Sequence, residues 1–189
     1  MLDKTYFAKI RAILLNYADK RREIIKLSGD AQQRAKKAIF AFQRDDRKTA
    51  GEQLKESLRF IQEAGKVAQS DERLLGEGSY RAGLEEYTEA VLFEKCLSGE
   101  KIGWVKEISD PDIYIGGLCD VPGELYRYAI KSATEKKFER VKQCRDSAEE
   151  IIAELVDMDL TGYNRQKFDQ AKQALQKLEQ VVYEVNLRI

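Results

Sequence analysis

Apolar positions recur every three or four residues along nearly the whole chain, the period of an α-helix that buries one face. From Asp3 onward, Phe7, Ile10, Ile13, Leu14 and Tyr17, then Ile24, Leu27, Ala31, Ala35, Ala38, Ile39 and Phe42, form one stripe. The stripe predicts a long first helix over about 3–43, with Ser28-Gly29-Asp30 as the place where it kinks or breaks. A second helix is predicted from about Thr49 through Leu54, Leu58, Ile61 and Val67, and a third from about Glu72 to Leu97. Gly99 and Gly103 bracket a connector that leads to the only tryptophan, Trp104. Asp110-Pro111 reads as an N-cap followed by proline at the first helical position, opening a fourth helix to about Ser132. Two more follow, from about Thr134 to Val156 and from near Asn164 to the C-terminus. No alternating strand pattern, repeat or low-complexity linker interrupts the series, so the expected fold is all-α: a single domain over 1–189, an elongated bundle of about six to seven antiparallel helices. The first and last helices are longer and more amphipathic than a monomer needs. Contacts between copies would use their faces as well as internal packing would.

Composition narrows the function classes. At 189 residues, 35% charged and 43% hydrophobic, the chain can bury a sizeable core, and disorder is excluded as its main state. No stretch approaches the ~20 apolar residues of a membrane span, and Met1-Leu2-Asp3-Lys4 does not open a signal peptide, so a cytoplasmic protein is expected. Cys96, Cys119 and Cys144 lack CxxC spacing and read as reduced structural thiols, excluding a zinc finger. The absence of histidine removes the common general base near neutral pH, the Ser-His and Cys-His nucleophile systems, and imidazole metal ligands. An enzyme built from this chain must work with carboxylates and a hard cation. Net charge is zero, yet residues 1–50 hold 13 basic and 6 acidic side chains while residues 51–100 hold 6 and 11. A basic arm therefore precedes an acidic remainder.

The acids of the third and fourth predicted helices stand out. Glu86 and Glu89 lie one turn apart in Leu84-Glu85-Glu86-Tyr87-Thr88-Glu89-Ala90-Val91-Leu92-Phe93, on a side shared with Ala82, Ala90 and Phe93, whereas Glu85 points elsewhere. Between Ile113 and Lys131 the only charges are Asp120, Glu124, Arg127 and Lys131, at offsets 0, 4, 7 and 11, so they form one stripe. Around it, Gly116, Gly117 and Gly123 permit close approach of another helix. Carboxylates one turn apart are usually a solvated face, and Glu124 with Arg127 reads equally as a surface ion pair. Two apolar helices that each carry an acid pair need more explanation, because poorly solvated like charges repel. A divalent cation would compensate them. Four carboxylates suit Mg²⁺ or Mn²⁺, with water or phosphate in the remaining positions, and such an ion supports phosphodiester hydrolysis, with Arg127 or Lys131 placed to contact the phosphate. A ferritin-like di-iron site wants Glu-x-x-His and fails for lack of histidine.

Several strings in register resemble the translin and Trax (translin-associated factor X) family: Arg22-Glu23-Ile24-Ile25-Lys26-Leu27-Ser28, Ala38-Ile39-Phe40, Gly83-Leu84-Glu85-Glu86-Tyr87-Thr88-Glu89-Ala90-Val91, Tyr114-Ile115-Gly116-Gly117-Leu118-Cys119-Asp120-Val121-Pro122-Gly123-Glu124-Leu125 and the ending Val181-Val182-Tyr183-Glu184-Val185-Asn186-Leu187-Arg188. The resemblance is closer to Trax, which keeps acids that translin has partly lost. It implies a hollow homo-oligomer of about eight subunits, RNA bound inside, and Mg²⁺-dependent endoribonuclease activity, in a compact form of prokaryotic, archaeal type. By motif, the family's catalytic and metal-binding acids fall on Glu86, Glu89, Asp120 and Glu124. Departures from Trax include a shorter chain, Phe93-Glu94-Lys95 where Trax carries a histidine, and Pro122 between the two acids of the fourth helix, which removes a backbone donor and is expected to kink the helix near Leu118.

With this resemblance the basic arm gains a use: Arg21, Arg22, Lys36, Lys37 and Arg44, together with Arg127 and Lys131, are candidate phosphate contacts for RNA, single-stranded or short duplex, or for single-stranded DNA. Tyrosines and phenylalanines are assigned to the core, and no sequence-specific reading of bases is indicated. The leading expectation is a metal-dependent endoribonuclease. Two alternatives stand beside it: a non-catalytic, translin-like RNA- or single-stranded-DNA-binding shell with structural acids, and a helical scaffold without a nucleic-acid role.

Overall fold

A computed structural model describes residues 1–187. Its helices are α1 (Lys4–Gln43), α2 (Arg47–Gln69), α3 (Gly78–Ser98), α4 (Pro111–Thr134), α5 (Phe138–Val156) and α6 (Gly162–Asn186), with no strand among the described residues. Arg188, the last residue of the final family-like string, lies outside them.

The starts of three helices follow from local chemistry. Asp3, Asp46 and Asp110 each accept hydrogen bonds from backbone N–H groups of the turn that follows, which have no partner within the helix. Asp110 does so at 2.9 Å from Asp112 N, with Pro111 in the first turn as its sequence predicts.

One expected break does not occur. α1 passes through Ser28-Gly29-Asp30 because Ser28 is buried against α3, where a Cβ on Gly83 would stand 3.1 Å from the Ser28 carbonyl. The contact holds the segment helical despite its weak propensity. At Pro122, where a kink is expected, α4 remains one helix, with the proline fully buried.

Other boundaries move. The predicted third helix is divided into a 3-10 turn over Glu72–Leu74 and α3 proper. Asp71 accepts from Arg73 N to cap the short turn, and Leu74 is buried beneath it. α5 starts at Phe138 rather than Thr134, because Lys136 adopts a left-handed backbone (φ 59°) that ends the preceding helix.

α1 packs on α2 and α3, α3 packs on α4, and α4 packs on α5 and α6. The α3–α4 pair is thus the centre of the bundle. Phe93 of α3 is fully buried, with edge-on contacts to Phe42 of α1 (6.3 Å) and Tyr128 of α4 (6.4 Å); truncating such a ring costs about 3–5 kcal/mol. The approach of α3 to α4 depends on two glycines. A Cβ on Gly117 would lie 2.7 Å from the Thr88 Cβ and 2.8 Å from the Glu85 carbonyl, and one on Gly116 would collide with the Glu85 carboxylate. Cys119 and Cys144 are buried and Cys96 half-buried, all as free thiols, and burial pushes each up to about 12, which keeps them unreactive.

The first half of α1 departs from its predicted packing. Tyr6, Phe7, Ile13, Leu14 and Leu15 are exposed, and the first buried residue of the helix is Ile24. The stripe continues to the start of the helix, but among the described residues its apolar side chains join a buried cluster only from Tyr17 onward, where Arg73 lies over the Tyr17 ring at 4.2 Å. No helix among the described residues is long and apolar enough to cross a membrane.

Candidate functional site

The two central helices bring the predicted acids to one cleft. Glu86 and Glu89 of α3 and Glu124 of α4 wall a cavity of about 460 Å³, closed on the other side by Lys36, Phe40 and Gln43 of α1. Glu89 and Glu124 also line an adjoining cavity of about 290 Å³ with Asp120 and, from α6, Gln170. The four predicted acids therefore meet at the junction of two cavities, because Gly116 and Gly117 let α4 lie close against α3.

Each acid has a different environment. Glu124 is 8% exposed; Gln43 Nε2 donates to its Oε2 at 2.9 Å, and Arg127 reaches Oε1 at 2.9 Å from one turn along. Glu86 faces Lys36 Nζ at 3.6 Å. Asp120 is held from α6 by Lys167 Nζ, which also bonds Glu85 Oε1 and lies 3.3 Å from the Gly116 carbonyl oxygen. Glu89 is 7% exposed and, among the described residues, forms no ion pair.

Electrostatics follow from this packing. Burial pushes Glu86, Asp120 and Glu124 up from the ordinary carboxyl range, opposed respectively by Lys36, by Lys167, and by Arg127 with Gln43. Glu89 goes furthest, to about 9, because burial is joined by the negative charges of Asp120, Glu86 and Glu124, while Lys167 offsets only part. Burial alone would lower the Lys167 ammonium, but its hydrogen bonds to Asp120 and Glu85 outweigh that and raise it.

Among the described residues no three acidic or cysteine side chains are grouped so as to hold a metal ion as they stand. Asp120 leans toward α6 and Glu124 toward α1, each drawn by its own partner. The donor chemistry nevertheless suits a hard divalent cation: the acids that share the cleft offer only carboxyl oxygens, and their mutual repulsion in a poorly solvated cleft is what such an ion would relieve.

The basic candidates divide into two sets. Lys36 and Arg127 stand at the cleft, and Lys37 and Arg44 line a neighbouring cavity of about 250 Å³ on the same helix face. Arg21, Arg22 and Lys131 do not line the cleft. Arg21 bonds Glu77 at 2.8 Å, Arg22 pairs with Asp19 on its own helix, and Lys131 reaches Asp45 at 2.6 Å. Asp45, itself at φ 62°, also accepts from the Tyr128 hydroxyl at 2.5 Å and from Arg140 at 3.0 Å, so Lys131 belongs to a latch between the α1–α2 turn and α4–α5.

Sequence reasoning missed Glu85, Lys167, Tyr163 and Gln43. Glu85, expected to point away, turns into the α3–α4–α6 junction, where Lys167 and the Tyr163 hydroxyl (2.8 Å) hold it. A glycine at 116, one helix away, was the available signal for a side chain needing that space. Gln43 lies seven residues after Lys36 on one face of α1, a spacing that places both on the cleft. The assignment of aromatic rings to the core also needs correction, because Phe40 at the cleft edge is 59% exposed.

Comparisons with known proteins agree with this architecture. Among solved structures the chain is similar to AfC3PO in complex with duplex RNA (19% identity, TM-score 0.90, 97% of each chain). It is also similar to AfC3PO alone (20%, 0.89, 97% of this chain and 98% of that one) and to apo-NeC3PO (20%, 0.87, 98% of each). At these identities the likeness is one of fold. No curated protein matches the chain. The family model described as Translin family matches residues 19–189, from the middle of α1 through both acid-bearing helices to the C-terminus. The chain belongs to the Translin family.

Proposed function

We propose that the chain is a Mg²⁺-dependent endoribonuclease of the Trax type, hydrolysing RNA phosphodiester bonds at the α3–α4 cleft inside a hollow homo-oligomer of about eight subunits. The observation that carries this reading is Glu89: a nearly buried carboxyl among three other acids, pushed to about 9, with no ion pair among the described residues. A fold has little reason to keep such a charge cluster unless something cationic or phosphate-bound uses it. Two further facts support RNA and assembly. AfC3PO, which shares the fold, is described in complex with duplex RNA, and the exposed apolar stripe at the start of α1 offers a surface for another subunit.

Glu86, Glu89, Asp120 and Glu124 would hold Mg²⁺ or Mn²⁺, which when bound lowers the pKa of its water and neutralises charge on the phosphate. The protein's own groups do the rest. Gln43 donates to Glu124 and fixes its orientation, while Lys167 fixes Asp120 from the opposite side. Lys36 and Arg127 flank the cleft mouth and offer N–H donors to phosphate oxygens of the strand. Incubation of the purified protein with short single-stranded RNA and Mg²⁺ or Mn²⁺ is expected to give cleavage that EDTA stops and that Glu89→Gln and Glu124→Gln abolish. Cleavage that persists in both variants refutes the assignment.

Lys167 favours a second reading, a non-catalytic shell that binds RNA or single-stranded DNA. Because Lys167 already neutralises Glu85 and Asp120, those acids have a structural use that needs no metal ion. That reading predicts salt-sensitive binding without turnover, unchanged by Glu124→Gln.

A further inference from the structure

Phe40 sits where the acid cleft meets a second cavity, and it lines both. Its neighbours on the same helix face are Lys36 and Lys37, one turn before it, and Gln43 and Arg44, one turn after. Lys37 and Arg44 are exposed, and among the described residues no acidic side chain pairs with either; Asp46, which shares their cavity, caps α2 through Thr49 N at 3.1 Å. Phe40 is itself largely exposed. Phe60, a half-buried phenylalanine of α2, lies beneath Arg59 at 4.2 Å, whereas among the described residues no cation or aromatic ring stacks on Phe40. An open aromatic ring between unpaired cations suits a polyanion that carries planar rings, since bases stack on aromatic side chains while lysine and arginine take phosphates.

We propose that Lys37, Phe40 and Arg44 form a single-strand binding subsite: one nucleobase stacks on Phe40, Lys37 and Arg44 contact the flanking phosphates, and the next phosphate is delivered to the acid cleft. The subsite explains why an apolar ring is kept at the rim of a charged cleft, and it makes the register of cutting depend on stacking rather than on base identity. It rests on the reading of the cleft as an RNA site.

The test uses the full chain in EDTA, where the strand stays intact. Binding of a fluorescein-labelled 12-nucleotide uridine RNA and of its abasic ribose-phosphate counterpart is followed by anisotropy across a salt series. Phe40→Ala is expected to weaken RNA binding about tenfold without changing the salt slope, to leave abasic binding unchanged, and to be rescued by Phe40→Trp. Lys37→Ala and Arg44→Ala are each expected to reduce the slope by about 0.7. Equal binding of RNA by wild type and Phe40→Ala overturns the stacking assignment alone, as does an equal loss on the abasic strand. A shift of Phe40→Ala to a smaller species in size-exclusion chromatography shows instead that the ring lies between copies, and also overturns it. Absence of any salt-dependent RNA binding by the wild type fails the reading of the cleft, and this proposal with it.

Discussion

Replacing Glu89 by Gln removes a charge that the fold opposes, and the structure fixes the sign and scale of the effect. In the unfolded chain the carboxyl titrates near its ordinary 4.5; in the fold it is pushed to about 9 by burial and by Asp120, Glu86 and Glu124. The folded state therefore binds one more proton than the unfolded state between those limits, and stability falls as pH rises through that window. Below pH 4.5 the site costs nothing, because the group is neutral in both states. At about 1.4 kcal/mol per pH unit, the penalty reaches about 3 kcal/mol at pH 7 and grows further until the folded carboxyl ionises. Glutamine keeps the shape without the charge. Urea unfolding in EDTA should show wild type and Glu89→Gln equally stable near pH 4 and the variant more stable by up to about 3 kcal/mol at pH 7. Adding Mg²⁺ should raise wild-type stability at pH 8 more than that of the variant. A pH-independent difference, or a variant less stable at pH 8, refutes the convergence of acids on Glu89.

Other perturbations test the supports of the cleft. Gly117→Ala places a Cβ 2.7 Å from Thr88 Cβ and against the Glu85 carbonyl, so overpacking of about 1–3 kcal/mol should exceed the ~1 kcal/mol helix-propensity gain; Gly123→Ala, with nothing within 4 Å, should stabilise, and urea midpoints that rank the two in the opposite order contradict the close helix contact. Lys167→Met leaves Glu85 and Asp120 facing each other without their cation, and should cost about 3 kcal/mol, partly recovered by adding Glu85→Gln; a thermal melt unmoved by Lys167→Met shows that the bridge is not made. Asp45→Ala should lower stability by about 1–3 kcal/mol through loss of the Tyr128, Lys131 and Arg140 contacts, with Asp45→Asn milder because asparagine tolerates the left-handed backbone; equal melting temperatures for the two variants contradict that account.

Local periodicity made the six helices legible, and zero histidine made the four acids legible, since their spacing on two apolar helices left few other uses for them. What sequence could not supply came from distance. Lys167 lies 47 residues after Asp120, and nothing around it on α6 distinguishes it from a solvated lysine. Glu85 was placed by its own helix alone, although the space offered by Gly116 on another helix decides where it goes. Ser28-Gly29-Asp30 carries a breaker composition, and tertiary burial against Gly83 overrides it. The opposite failure occurs at the start of α1, where a correct apolar stripe has no partner within the chain. Phe40 was half legible: the stripe through Ala35, Ala38, Ile39 and Phe42 leaves it on the other side of α1, but only the packed structure shows that this side borders the acid cleft.

The proposed chemistry depends on whether a divalent ion enters the α3–α4 cleft. Anomalous diffraction from crystals soaked in Mn²⁺, compared between wild type and Glu89→Gln, locates it directly. The expected result is a peak in the cleft among Glu86, Glu89, Asp120 and Glu124 that is absent in the variant. An empty cleft at saturating Mn²⁺, or a peak elsewhere on a protein that still cleaves RNA, contradicts it.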